Sequence, residues 1–339
     1  MYPKLTEIHA DLRAFDDYYD GQSGTTAQYF GIDTGTHGYL CRVGKHSRVY
    51  QFLSPTRLQS LVLRPTIEVG VRLPRLFDAV PRMDRAELKF SSIEPPDLVI
   101  KKGRTKMLYF DRKEVYTVSG PRIRDEVQNR QLLPPEVNAP PVLEYDDEYP
   151  YMVEEFIEGT HPERNLTDRL VYEQAFEQLG VLYKKHREGY LHVEELLAEL
   201  EQSDVVDRAV DALEDIGMPD SIPLTRVHAD FAHKNVLVSG NELYLLDWEI
   251  SRIEPVFSDL FHLFMDIYRS KEGDDGIVTP SRCEWYSSVL EEIFDWIGEP
   301  VPGDIDSLFV IYLLFIMNEI ESGGKYQVVL EDFLSGNEY

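Results

Sequence analysis

Between Asp97 and Phe156 the apolar residues come in short runs, "LVIKKG", "TKMLYF", "EVYTVS", "PPVLEY" and "YPYMVEEF", broken by Gly, Asp and Pro. Val, Ile, Tyr and Phe fill these runs, the choice made by a pleated, half-buried surface. The spacing predicts a small antiparallel sheet, and "RIRDEVQNRQLL" among the runs predicts one helix. After "FIEGTHPE" the period changes. Leu170, Val171, Ala175, Leu179, Leu182 and Tyr183 share one helical stripe, and the stretches 191–216, 255–269, 281–297 and 304–321 read the same way. The apolar run "LFVIYLLFIM" has about half the length of a membrane-crossing helix, so it predicts a buried one.

Polar residues interrupt this helical half in "RVHADFAHKNVLV", residues 226–238. Two strand-like pieces follow, "NVLVSG" and "ELYLLDWE", with Gly240 and Asn241 as the turn between them. A tight hairpin there returns Asp247 to the neighbourhood of Asn235, which shares a loop with Asp230. Three oxygen-bearing side chains thereby converge. Phosphoryl transfer needs such a set: one carboxylate to orient and deprotonate a hydroxyl, and a carboxylate with an amide to hold magnesium against a triphosphate.

The first 97 residues have a mixed pattern and carry no assignable chemistry. "QSGTTAQYFGIDTGTHGYL" is rich in turn formers, "SPTRLQSLVLRPTIEVG" predicts a helix, and the paired Pro95 and Pro96 mark a boundary. The expected division is an N-terminal region of unknown role over 1–97, a small nucleotide-binding lobe and hinge over 98–156, and a mainly helical catalytic and substrate lobe over 157–339.

Composition narrows the classes. A chain of 339 residues with 43% hydrophobic content is globular and long enough for two or three structural units. Its net charge of −27, with 12 Lys against 22 Arg, excludes a duplex nucleic acid partner and suits a halophilic surface hydrated in a salt-rich cytoplasm. Cys41 and Cys283 have no metal-type spacing. The N-terminus lacks the basic and apolar blocks of a signal peptide, so a cytoplasmic protein without a membrane partner is expected. Nothing in the pattern speaks to oligomeric state.

"HADFAHKNVLV" followed by "LYLLDWE" resembles the His-x-Asp-x-x-x-x-Asn and Asp-Trp motifs of the aminoglycoside phosphotransferase and choline kinase family. The resemblance widens to about residues 98–320 through "YPYMVEEFIEG", similar to a last small-lobe strand and hinge, and "LGVLYKKHREGY", similar to the helix before the catalytic loop. It implies an α+β, bilobal protein-kinase-like fold with an extra N-terminal region. It further implies Asp230 as catalytic base, His228 as a brace of the loop, and Asn235 and Asp247 as magnesium ligands. Asp259 in "SDLFHL" becomes a structural aspartate, and backbone groups of Glu154, Glu155 and Phe156 would meet the adenine of ATP. His233 is a candidate for touching substrate or phosphate, and Lys234 is expected to face solvent.

In that family a strand lysine grips the α and β phosphates and pairs with a helix glutamate. Glu126 fits the glutamate, but Thr117 stands where the lysine belongs. The hairpin before it holds one glycine, Gly103, among Lys101, Lys102, Arg104, Lys106 and Lys113. Alternation puts Lys106 on one face with Leu108 and Phe110, which makes Lys106 the expected replacement grip. The expected function is ATP- and Mg2+-dependent phosphorylation of a hydroxyl on a small molecule, with aminoglycoside-, choline- and sugar-like acceptors all open. The alternative is a catalytically weak nucleotide-binding pseudokinase acting as a regulator or scaffold.

Overall fold

Leu5, Ile8, Leu12 and Phe15 recur at helical spacing, and in the computed structural model they are the buried stripe of helix α1 (Pro3–Tyr18). The structure describes residues 3–19, 24–33, 37–43, 83–120, 122–269, 279–319 and 324–336. The helix expected within "SPTRLQSLVLRPTIEVG" lies outside them. Two units divide the chain: Met1–Gln128 with Pro140–Thr160, and Asn129–Ala139 with His161–Tyr339.

The first unit is one antiparallel sheet. Its strands are β1 (Thr25–Asp33), β2 (Gly38–Arg42), β3 (Met83–Phe90), β4 (Leu98–Lys102), β5 (Arg104–Tyr109), β6 (Glu114–Val118), β7 (Val142–Asp146) and β8 (Tyr151–Glu155), in the order β3-β1-β2-β4-β5-β6-β8-β7. Helix α2 (Ile123–Gln131) follows β6 and packs Ile123 and Val127 on Met152. Because β2 pairs with β4, the division expected at residue 97 falls between strands of one sheet. The N-terminal residues add three strands and a covering helix. Helix α1 buries its stripe against Tyr29, Leu40, Val99, Met107, Tyr116 and Tyr151. Buried Asp16 ties its end to the turn after β3 by accepting the amides of Ser91, Ser92 and Ile93 at 2.7, 2.8 and 2.9 Å. The opposite face carries Phe30, Tyr39, Leu98, Leu108, Phe110 and Val115, with Phe156 packed against them.

The second unit is mainly helical: α3 (Arg169–Lys185), α4 (Val193–Glu199), α5 (Asp204–Ile216), α6 (Ser258–Arg269), α7 (Glu284–Ile297), α8 (Ile305–Glu319) and α9 (Gly324–Gly336). Helix α8 is buried from Ser307 to Ile316, which explains a run apolar on every side. No helix among the described residues is long and apolar enough to cross a membrane. Strands β9 (Arg187–His192), β10 (Ser221–Val227) and β13 (Arg252–Pro255) pair in the order β13-β10-β9, and β11 (Val236–Ser239) pairs with β12 (Glu242–Leu245). The expected helical stretch over 191–216 is thus broken: its start belongs to β9, and α4 and α5 make up the rest. A sheet unit and a mainly helical unit make the chain α+β in class.

Candidate active site

Strand β10 leads into His228, and the chain then bends sharply, with Ala229 in the left-handed region at φ 66°. Asp259, at the start of α6, holds this bend. Its Oδ2 accepts the His228 amide at 2.8 Å and the Tyr183 hydroxyl at 3.0 Å, and its Oδ1 accepts the Ala229 amide at 2.9 Å. Burial pushes the Asp259 carboxyl above its ordinary range, while the His228 ring, the two amides and Tyr183 pull it back. His228 is fully buried against the Trp248 indole, with ring centroids 4.5 Å apart. Its Nε2 lies 2.8 Å from the Leu246 carbonyl, an acceptor, so that nitrogen carries the proton and donates. One imidazole therefore ties the loop to the end of the β11-β12 hairpin.

Asp230 follows, half-exposed, and its Oδ2 accepts from Lys234 Nζ at 2.9 Å and Asn235 Nδ2 at 3.0 Å. Asn235 Nδ2 also donates to the Asp230 carbonyl at 2.7 Å. With its nitrogen so engaged, the Asn235 amide has Oδ1 to offer as a ligand. The Leu246 amide donates to the Asn235 carbonyl at 2.9 Å, which brings Asp247, one residue on, back beside the loop. Asp247 has φ 67°, a left-handed conformation that a non-glycine residue adopts at a cost and that recurs at functional sites.

Lys234 is exposed, as expected, and places its ammonium on Asp230, four residues earlier on the same loop, at 2.9 Å. Burial lowers its affinity for a proton, but Asp230, Asp247 and Asp266 more than reverse this and hold it above the ordinary lysine value. His233 faces the other way. Its amide and its Nδ1 both donate to Asp266 Oδ2, at 3.0 and 2.6 Å. Arg164 Nε completes the group, 3.0 Å from Asp266 Oδ1 and donating to the Asp266 carbonyl at 2.7 Å. Burial alone would raise the Asp266 carboxyl, but His233 and Arg164 bring it below the ordinary range. Neither Arg164 nor Asp266 carried a sequence signal: one sits in a turn-rich connection, the other on the polar side of an amphipathic helix.

In the sheet unit, Glu126 of α2 is buried and accepts from Arg104 Nη1 at 2.6 Å. Arg104 thus pairs with this glutamate. Gly120 makes the pairing sterically feasible, since a methyl group there would stand 2.4 Å from Arg104 Cγ. Lys106 lies directly opposite Thr117 in the β5-β6 register, and among the described residues its one ion-pair contact is Glu154, at 4.0 Å, while 39% of its side chain stays exposed. Thr117 itself is fully buried. Lys101 points to the other face, where it pairs with Asp11 of α1 at 2.9 Å. Gly103, at φ 76°, is the whole connection between paired Lys102 and Arg104, so this turn has few amides for a triphosphate. The amides of Glu155 and Phe156 donate to Pro141 O and Lys113 O at 3.0 and 2.8 Å, so neither is left for adenine.

Behind the loop, Glu254 of β13 is fully buried beside Arg252, whose Nη2 lies 2.6 Å from Oε1. Burial pushes its carboxyl up to about 7 from an ordinary 4.5. Between those values the folded chain holds a proton that the unfolded chain has released, so stability falls as pH rises. The shift corresponds to a loss on the order of 1–3 kcal/mol. Glu254→Gln is expected to lack this loss, a difference read from urea denaturation across that pH window. Parallel profiles for the two proteins would place the titration elsewhere.

No curated protein sequence matches the chain. Solved structures similar to it include choline kinase LicA from Streptococcus pneumoniae, 15% identical, with 69% of this chain and 90% of that chain covered and a TM-score of 0.46. A choline/ethanolamine kinase family protein from Mesorhizobium loti is 15% identical, covering 73% and 87%, with a TM-score of 0.44. An aminoglycoside phosphotransferase from Streptomyces rimosus, solved with ADP and streptomycin, is 14% identical, covering 62% and 90%, with a TM-score of 0.38. Residues 173–279, which contain His228, Asp230, Asn235, Asp247 and Asp259, match the phosphotransferase enzyme family.

Proposed function

We propose that this protein is a small-molecule kinase that transfers the γ-phosphoryl group of ATP, with Mg2+, to a hydroxyl of its acceptor. The observation that carries the reading is the Asp230 carboxylate held by the Asn235 amide nitrogen, with Asn235 Oδ1 and Asp247 brought alongside by the hairpin. In this reading Asp230 orients the acceptor hydroxyl and takes its proton. Asn235 and Asp247 form a hard-oxygen pair that fits magnesium, which keeps several waters and needs few protein ligands. When bound, the ion supplies charge neutralisation of the triphosphate. His228 and Asp259 hold the loop in its bent form, so the carboxylate needs no rearrangement to act.

The sheet unit supplies the nucleotide contacts: Arg104 on Glu126 as the phosphate grip, Lys106 as a second cation, and the apolar face around Leu108, Phe110 and Phe156 for the base. Buried Thr117 and the single-residue turn at Gly103 favour the second reading, a catalytically weak nucleotide-binding protein. One pair of measurements separates them. Transfer of label from ATP to a metabolite pool is expected from the intact protein. Asp247→Ala is expected to weaken the magnesium-nucleotide complex at least about tenfold in calorimetry, by removal of a hard ligand, while metal-free nucleotide binds as before. Binding without transfer would establish the second reading, and unchanged affinity in Asp247→Ala would move Asp247 out of the site.

A further inference from the structure

Asp266 is a carboxylate beside the catalytic loop that a cationic acceptor would seek, yet both of its oxygens are already engaged, Oδ2 accepting from His233 and Oδ1 in an ion pair with Arg164 Nε. Asp230 is likewise paired with Lys234, and Asp259 is fully buried. What these acids hold outward is positive. Arg164 is 41% exposed and Lys234 is 42% exposed at the side chain, in a chain whose net charge is −27. The guanidinium is gripped through Nε alone, and among the described residues no contact takes its two Nη groups. That edge is the planar fork that matches a carboxylate or phosphate in bidentate fashion.

The segment that carries Arg164 is firmly placed. His161 Nδ1 donates to the carbonyl of Val236, the residue after Asn235, at 2.8 Å. The Tyr172 hydroxyl donates to the Glu163 carbonyl at 2.7 Å, the Glu163 amide donates to Asp168 Oδ2 at 2.8 Å, and Asn165 Oδ1 accepts the Thr167 amide at 2.7 Å. An arginine anchored on both sides and through its own Nε loses little freedom on meeting a ligand.

We propose that the acceptor alcohol carries an anionic group, which the Nη edge of Arg164 binds beside the Asp230 loop. The proposal rests on the phosphotransferase reading and names its acceptor class: a hydroxy acid or a phosphorylated polyol rather than an amine. Lys234, on the same loop, adds a second positive charge near the incoming anion.

The test uses the full chain saturated with Mg2+ and a non-hydrolysable ATP analogue, so that anions cannot occupy the nucleotide site. D-glycerate, gluconate, glycerol 3-phosphate and glucose 6-phosphate are titrated against choline, kanamycin and glucose, and the same compounds are then offered with ATP as acceptors. At least one anion is expected to bind and to be phosphorylated, the acid and phosphate arms telling which oxyanion is preferred. Arg164→Gln is expected to raise its KM at least about tenfold with kcat within about threefold, and Arg164→Lys to recover part of the loss, a split that a merely structural role would not produce. Phosphorylation of choline, kanamycin or glucose, an anion affinity unchanged in Arg164→Gln, or no anion binding to the nucleotide-loaded protein overturns the proposal. Nucleotide binding is measured first: its absence overturns the kinase reading as well, whereas its presence without anion binding overturns the acceptor class alone.

Discussion

Asp230→Ala is expected to lower phosphoryl transfer by about 10² to 10⁴, the range a positioned general base supplies. The folded structure should survive, because the carboxylate is half-exposed and its contacts are to Lys234 and Asn235 on its own loop. An exposed ion pair of this kind is worth about 0–1 kcal/mol, a small fraction of a domain's stability. The bend itself depends on Asp259 and His228, which the substitution leaves in place. Magnesium-nucleotide affinity should also persist, since Asn235 and Asp247 remain. The measurement is single-turnover transfer beside a melting curve and a nucleotide titration on the same preparation. Near-normal turnover in a folded, nucleotide-binding Asp230→Ala protein would remove Asp230 from the chemistry.

The helical half and the loop from His228 to Asp247 were legible because their signals are local. A hairpin turn at Gly240 and Asn241 fixes where Asp247 returns, and an apolar run such as that of α8 admits one physical reading. Strand alternation between Leu98 and Glu155 was legible for the same reason. The N-terminal strands were not, since β1 joins β3 across a long insertion and its turn-rich surroundings mask the alternation. Strand β9 is mostly exposed and runs straight into α4, so its residues read as more helix. Strand β10 contains Pro223, a residue that argues against a strand until its register irregularity beside Pro223 is seen. Ion pairs were the least legible feature. Whether Arg104 or Lys106 meets Glu126 depends on the β5-β6 register, the position of α2 and the space left by Gly120, none of which is local to either cation.

Arg104 accordingly carries the second large expected effect. Its side chain is 10% exposed and that of Glu126 is 1% exposed, with 2.6 Å between Nη1 and Oε2. Arg104→Met removes the arginine from a buried ion pair while the glutamate stays buried, a change that typically costs about 3–5 kcal/mol. Lys106→Ala removes a half-exposed charge whose ion-pair contact is at 4.0 Å, and about 0–1 kcal/mol is expected. Chemical denaturation of the two variants side by side should therefore separate them by several kcal/mol. Gly120→Ala offers an independent check, because it keeps both charges but drives a methyl group against the Arg104 stem, 2.4 Å from Cγ in the present packing. If Arg104 is also the phosphate grip, Gly120→Ala should weaken ATP binding in proportion to its loss of stability, and Arg104→Lys should keep more affinity than Arg104→Met. A protein in which Lys106→Ala abolishes ATP binding while Arg104→Lys and Gly120→Ala leave it intact would return the grip to Lys106 and make the Arg104–Glu126 pair purely structural.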